Sequence, residues 1–237
     1  MSQYKKHLQA LYSNDTFRRK VEYINYNFGN LLRRAVVKKG QAVLEIGPGM
    51  GELIGYLNSL GCRQIDVVDN DKHILDEIAK NFKIRRQFLN GDTASLDNKL
   101  LNYRVIVGIQ VLEHMSVDLL PKVIATLYKH LDKGGEMLFV VPNAGNPLGM
   151  IERYGDWQHT TAFTKQSLRD LVSVSGIKNY ELNLFGYRIP PSNLINVVRI
   201  VAQKLLHLFL LGVMVTNGGT YFKIMTPNLV LKIKKLR

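Results

Sequence analysis

The sequence predicts an α/β protein, an open and mostly parallel sheet with helices on both faces. Three observations carry that expectation. Short apolar runs alternate with stretches of helical periodicity from Val43 to Ile177, an order that builds parallel strands and places ligands at their carboxyl ends. The run Val43 to Leu53, VLEIGPGMGEL, passes from an apolar strand start through Gly47, Gly49 and Gly51 into a helix. A second strand, Gln64 to Asp69, delivers an acid 22 residues beyond Gly47.

From Ser2 to Val37 the pattern is helical, with Asp15 as N-cap and Val21, Ile24, Phe28, Leu31 and Leu32 recurring on one face. That face is expected to pack beside the first strand, although Tyr23, Tyr26 and Phe28 could also reach over a ligand. In the glycine turn, alternate glycines let a ligand approach the backbone, and the free N–H groups of the next helix face it. The spacing is G-x-G-x-G rather than the pyrophosphate-binding G-x-G-x-x-G, with Glu45 two residues before the first glycine. A carboxylate there repels phosphate and suits a ligand with a cationic end, while Asp69 can accept from both hydroxyls of a ribose. The helix Glu52 to Leu60 stops at Gly61, and Asp71 caps the helix Lys72 to Lys80. A third strand, Arg85 to Leu89, leads to Asn90, Gly91, Asp92 and Thr93, an ordinary Asp turn unless a ligand uses it.

The fourth strand, Tyr103 to Ile109, is followed by Gln110, Val111, Leu112, Glu113 and His114, where chemistry would sit. A helix from Ser116 to Leu131 and a turn at Asp132 to Gly135 lead into the fifth strand, Glu136 to Val141. The loop beyond it carries Asn143, Arg153, Tyr154, Asp156, Trp157 and His159 before Thr164 caps the helix Lys165 to Ser175, and long loops at this edge commonly carry function. Tyr180 to Phe185 is the sixth strand and Pro227 to Lys234 the last. Between them Pro190 and Pro191 stop the chain, Ser192 can cap, and Leu194 to Val215 reads as a helix with a narrow polar stripe of Asn196, Arg199, Gln203 and His207. Arg199, Gln203 and Lys204 interrupt it as a membrane span. A helix lying in the plane of an anionic leaflet, a helix buried against the body and a homodimer interface all stay open.

The 237 residues carry a net charge of +13, unevenly distributed. Residues 1 to 39 hold nine Lys and Arg against two acids, and residues 183 to 237 hold eight and none, while the middle is near neutral. Basic ends around a neutral body suggest a polyanionic surface as partner, with a solvated surface as the bland alternative. Cys62 is the single cysteine, which excludes an intrachain disulfide and a cysteine-based metal cluster. The start MSQYKKHLQALY has no apolar core of signal-peptide length, so cytoplasmic residence is expected.

Glu45, the three glycines and Asp69 together resemble the cofactor site of the class I S-adenosylmethionine-dependent methyltransferases. The resemblance implies a Rossmann-like sheet of seven strands with an antiparallel last pair. It implies S-adenosylmethionine as cofactor, with carboxylates on the ribose and Asp92 accepting from the adenine amino group. Candidate cofactor contacts are then Glu45, Gly47, Gly49, Gly51, Asp69, Asn70, Asp92, Thr93 and Gln110. Leu112-Glu113-His114 is similar to the motif that follows the fourth strand in many small-molecule methyltransferases, although Arg104 stands where an acid is usual. The run RYGDWQHTTAF, the helix TxxSLRxLV and the terminal TPNLVLKIKK resemble a subgroup associated with bacterial exopolysaccharide, capsule and O-antigen assembly. That likeness implies methylation of a sugar hydroxyl.

Methyl transfer to a hydroxyl needs positioning, exclusion of water and removal of one proton. His159 is the first candidate base and His114 the second; Asn143, Arg153, Tyr154 and Trp157 are candidate substrate contacts. Metal assistance through Glu113 and His114 stays open, with no complete ligand set visible. The whole chain reads as one domain: an N-terminal helical segment (1–39), a cofactor core with its substrate loop (40–189), a helical insertion (190–226) and a last strand (227–237). Partners are a glycan or small-molecule substrate and an anionic membrane face. No nucleic acid is expected, since no RNA-recognition module or NPPY-like tetrapeptide is present. The nearest rival substrate is a quinone or lipid-like phenol.

Overall fold

The computed structural model of the protein describes residues 13–36, 40–218 and 223–236. Seven strands, β1 (Val43–Ile46), β2 (Ile65–Asp69), β3 (Arg86–Leu89), β4 (Tyr103–Ile109), β5 (Leu131–Pro142), β6 (Tyr180–Gly186) and β7 (Asn228–Lys235), form one sheet. Their order is β3-β2-β1-β4-β5-β7-β6. The first five strands are mutually parallel, and β7 runs antiparallel between β5 and β6. The chain therefore reverses its direction of winding between β1 and β4, and the carboxyl ends of these two strands open a crevice.

Alternation along the strands splits the core in two. Val43, Val67, Val105, Val107, Leu138 and Val140 face helices α1 (Asn14–Val36), α2 (Glu52–Ser59) and α3 (Lys72–Asn81). Leu44, Ile46, Ile106, Met137, Phe139 and Leu231 face α4 (Leu120–Lys129) and α6 (Lys165–Val174) on the other side. A short helix, α5 (Met150–Tyr154), lies within the loop after β5, and α7 (Leu194–Thr216) precedes the last strand.

The helix ends differ from sequence expectation where two capping residues compete. Ser13, whose hydroxyl accepts from the Thr16 N–H, caps α1 and puts Asp15 in the first turn. Of the helix expected from Ser2, residues 2–12 and Val37 lie outside the described residues. Asn193 rather than Ser192 caps α7, its side chain accepting from the Asn196 N–H. The helix expected from Ser116 begins at Leu120, after a turn in which the Ser116 carbonyl accepts from Leu119 and Leu120. Asp132 to Gly135, expected as a turn, belongs to an irregular start of β5, where the register against β4 shifts between Tyr103 and Val105.

The orientation of α7 is the reverse of a soluble helix. Its Asn196 is buried and donates to the Pro190 carbonyl, and Gln203 and His207 are half-buried, so these three members of the polar stripe face the body while Arg199 is exposed. Leu194, Ile195, Val198, Val201, Leu205, Leu208 and Phe209 face outward. The helix is long and apolar enough to cross a membrane by length and composition, and none of its most apolar window is buried.

The far end of the sheet is pinned by a charge. Asp66 is fully buried and accepts from Arg85, Arg86 and the Tyr103 hydroxyl, the last at 2.8 Å, joining β2, β3 and β4. Burial alone would raise its pKa, but the hydrogen bonds from Arg85, Arg86 and Tyr103 outweigh it and hold the carboxyl below the usual range. Removing one member leaves buried polar groups unpaired, so Asp66→Ala is expected to cost about 3 kcal/mol or more in urea unfolding. Because this pKa is depressed, the contribution of Asp66 is present above the unfolded carboxyl's pKa, about 4, and is lost as pH falls through the folded value.

Candidate functional site

The turn after β1 is held open by geometry that only glycine adopts comfortably. Gly47, Gly49 and Gly51 have φ of +65°, +53° and +85°. A Cβ at Gly47 would lie 2.5 Å from a Val111 methyl, and one at Gly51 would lie 2.4 Å from the Phe82 ring. The backbone is thus pressed against β4's exit on one side and α3's end on the other. Gly51 caps α2 without a side-chain hydrogen bond, which leaves the first N–H groups of α2 available to a ligand.

Acids surround this turn. Glu45 is buried, its Oε2 has no hydrogen-bond partner, and its pKa is raised well above normal by burial and then by Glu52 and Asp69. Asp69 is pushed up to about 6, mainly by burial, with repulsion from Asp71 opposed by N–H donation from Asp71 and Asn70. Mutually repelling, poorly solvated carboxyls are stabilised by a cationic ligand, and a ribose can supply the donors that Asp69 lacks.

The exit of β4 forms the second half of the site. Gln110 adopts φ +56° and donates to the Asn228 side chain at 2.9 Å, joining β4 to β7. A 3-10 turn, Leu112–His114, follows, and Glu113 within it is fully buried with both carboxyl oxygens unpartnered. Burial pushes the Glu113 pKa up to about 8. The loop after β5 is fastened to this turn: the N–H groups of Thr160 and Thr161 donate to the Glu113 carbonyl at 2.8 and 3.1 Å, and the Thr160 hydroxyl donates to Met115 at 2.9 Å. That seam brings His159 against His114, ring centroids 4.7 Å apart and edge to face. Burial, then the neighbouring His159, lowers the His114 pKa and favours its neutral ring.

Two cavities meet along Gly47, Gln110 and Val111. The first, about 480 Å³, is lined by Asp69, Asn70, Asp92, Thr93, His114 and Gln158. The second, about 820 Å³, extends past Glu45, Pro48, Gly49 and Glu52 to Tyr23, Tyr187, Glu152, Asn196 and Arg199. The nine residues expected to contact cofactor fall around this trough, except that Gly51 is turned into the Phe82 contact. Asp92 also caps the 3-10 turn Thr93–Leu96, accepting from the Ala94 N–H.

The expected substrate residues fare differently. Asn143 is buried and fully used, donating to the Ile224 and Thr226 carbonyls and accepting from Gly145, so it anchors the loop instead of orienting a hydroxyl. Trp157 is 87% exposed and Tyr154 66% exposed, and neither lines either of these two cavities. Arg153 stacks on Tyr154 and donates to the His159 carbonyl at 2.7 Å, which makes it a support for that histidine. Sequence reasoning passed over Tyr187, Glu152, Arg199 and Asn228, which reach the second cavity from four separate elements or their flanks. Glu52 carried a signal, an acid opening the helix after the glycines.

A glycine-cradled crevice between the first and fourth strands, flanked by buried acids, defines a nucleoside-cofactor enzyme of the methyltransferase class. A family model described as a methyltransferase domain matches residues 15–182, and the chain belongs to that family. It is an S-adenosylmethionine-dependent methyltransferase, and the orphaned Glu45 oxygen, the open α2 N-terminus and Asp69 fit that cofactor. The fold is shared with an S-adenosylmethionine-dependent methyltransferase from Archaeoglobus fulgidus at TM-score 0.63 and 16% identity, covering 93% of this chain and 97% of that one. It is shared equally with the plantazolicin methyltransferase BpumL in complex with SAH, at TM-score 0.63 and 14% identity over 98% and 90%. A 72-residue stretch is 32% identical to a ribosomal RNA small subunit methyltransferase A from Xanthobacter autotrophicus, covering 29% of this chain and a quarter (25%) of that protein.

The ribose contact expected of Asp69 needs its ionised form, so cofactor binding is expected to be acid-sensitive. With its pKa at about 6, lowering pH from 7 to 5 reduces the ionised fraction about tenfold. Calorimetric affinity for S-adenosylmethionine is expected to fall by about that factor, while Asp69→Asn binds weakly at both pH values.

Proposed function

We propose that this methyltransferase transfers a methyl group to a sugar hydroxyl of a bacterial surface glycan or of its lipid-linked precursor. The second cavity carries the reading. Beyond the glycines it presents aromatic walls, Tyr23 and Tyr187, amides from Asn193, Asn196 and Asn228, and the cations Arg19 and Arg199. Flat apolar faces beside amide donors and acceptors suit a sugar ring, and the cations suit a phosphate attached to it. The likeness of RYGDWQHTTAF and TPNLVLKIKK to glycan-assembly methyltransferases supports the same acceptor.

When bound, S-adenosylmethionine supplies a methyl carbon activated by its sulfonium. The protein's own task is to position the acceptor, keep water out and remove a proton. Tyr187, wedged between Tyr23 at 5.8 Å and Phe28 at 5.6 Å, closes the wall beside the glycines. The His114–His159 pair handles the acceptor proton. His159 Nδ1 lies 3.3 Å from the Arg153 carbonyl, which can only accept, so Nδ1 carries the hydrogen and Nε2 keeps its lone pair. His159→Ala is expected to leave cofactor affinity within twofold and to lower turnover about a hundredfold, the usual weight of proton-transfer catalysis.

Transfer of radiolabelled methyl into fractionated lysate of the source cell tests the acceptor. Label in acid-labile lipid-linked or polymeric glycan is expected. Label in a quinone extract, or in RNA as the partial ribosomal RNA methyltransferase match would suggest, overturns it.

The lipid-linked form of the acceptor accords with α7. Its apolar side is turned outward, and the segment 183–237 around it has eight Lys and Arg and no acid, a combination that supports an anionic leaflet as its counterpart and the cytoplasmic face of the plasma membrane as the proposed location. Residues Asn193, Ile195, Asn196 and Arg199 at its start also line the second cavity, which supports an acceptor entrance on the side that α7 turns to the lipid. The protein is expected to float with phosphatidylglycerol vesicles and not with phosphatidylcholine alone, and Leu205→Glu with Phe209→Glu is expected to abolish flotation. A doubled mass without lipid binding would assign the face to a homodimer.

A further inference from the structure

We infer that Glu113, His114 and His159 form a binding site for one divalent transition-metal cation. One ligand atom from each residue lies within 4.8 Å of the others, a span that a single ion can bridge with small side-chain adjustments. The three come from two segments that the sequence keeps more than forty residues apart, and the Thr160–Glu113 seam joins them.

Each ligand is prepared by its surroundings. Glu113 is fully buried, yet neither carboxyl oxygen meets a donor, a state that native interiors avoid unless something else satisfies the group. A cation between the two histidines would supply both charge and coordination. His159 gives its Nδ1 hydrogen to the Arg153 carbonyl, and Arg153 in turn holds the His159 carbonyl at 2.7 Å, so Nε2 is the atom left to coordinate. The Gln158 backbone stands beside His114. A backbone partner on the second ring nitrogen, as His159 has, is the usual outer shell of a metal-binding histidine. Asp156 stands close enough to act electrostatically on Glu113 and His114 and adds a further negative charge.

Two imidazoles with one carboxylate favour zinc, manganese, iron(II) or cobalt over magnesium or calcium, which prefer oxygen ligands alone. Three protein ligands leave coordination positions open. His114 lines the first cavity, so those positions face the part of the trough that Asp69, Asn70, Asp92 and Thr93 also line. The inference deepens the methyl-transfer reading and rests on it for catalytic meaning alone; cation binding itself does not depend on which acceptor is used. With a cation bound, the His159 lone pair would serve coordination in place of proton transfer, and the cation would acidify an acceptor hydroxyl that reaches it. The hydroxyl proton would then pass to water, the new oxygen–methyl bond would form as the methyl–sulfur bond breaks, and S-adenosylhomocysteine would leave uncharged at sulfur.

The test is direct binding to the full chain after chelator treatment, read by cobalt(II) visible absorption and by zinc and manganese calorimetry. One equivalent is expected, with cobalt bands stronger than those of the aqueous ion. Glu113→Gln and His159→Ala should each lower affinity at least tenfold, whereas His73→Ala, at an exposed position on α3, should not. His159 is only half-buried, so its variant keeps the test valid if Glu113→Gln fails to fold. An aqueous cobalt spectrum, or wild-type affinity in both folded variants, overturns the site. Absent binding with methyl label still entering glycan overturns this inference alone; tight binding with label in RNA overturns the acceptor reading alone.

Discussion

The site depends on one close contact, the packing of the Gly47 backbone against Val111. A side chain at Gly47 would stand 2.5 Å from a Val111 methyl, so the exits of β1 and β4 can meet only if that position is glycine. Their meeting creates the crevice at the sheet's reversal, and both cavities are bounded by the same two residues. The adjacent Gly51 is forced in the same way by Phe82, which sets where α2 begins and where its free N–H groups point. A cofactor is thereby approached by backbone on one side and carboxyls on the other.

The two ends of the sheet treat buried charge in opposite ways. At the amino end Asp66 is saturated by Arg85, Arg86 and Tyr103, and its ionised form is favoured. At the carboxyl end Glu45 is buried with its Oε2 unpartnered and Glu113 is buried with both carboxyl oxygens unpartnered, and both resist ionisation. Saturated charge stabilises a fold, whereas unsaturated charge marks where the fold gives up stability for a ligand. The contrast separates structural acids from working ones without reference to any relative.

Helix α7 adds a third kind of exposure. Asn196, Gln203 and His207 are turned to the body, Asn196 on Pro190, and most of its large apolar residues are left outside. A continuous apolar face of this size is uncommon on a solitary soluble surface. It stands beside the second cavity, so the surface that covers α7 also bears on what enters that cavity.

Much of this was legible in the chain. Alternating runs and the glycine turn determined the parallel sheet, because these signals are local in sequence and follow from strand and helix periodicity, and Glu45, the glycines and Asp69 carried the resemblance that implied the cofactor. Asp71 and Thr164 were readable as caps for the same reason. The tertiary structure alone decided that Asn143 is consumed by the Ile224 and Thr226 carbonyls and that Trp157 stands in solvent. It alone set His159 beside His114 and left Glu113 without a donor. Those outcomes hinge on hydrogen bonds between segments forty to eighty residues apart, whose pairing is settled by the geometry of the sheet and has no counterpart in local pattern.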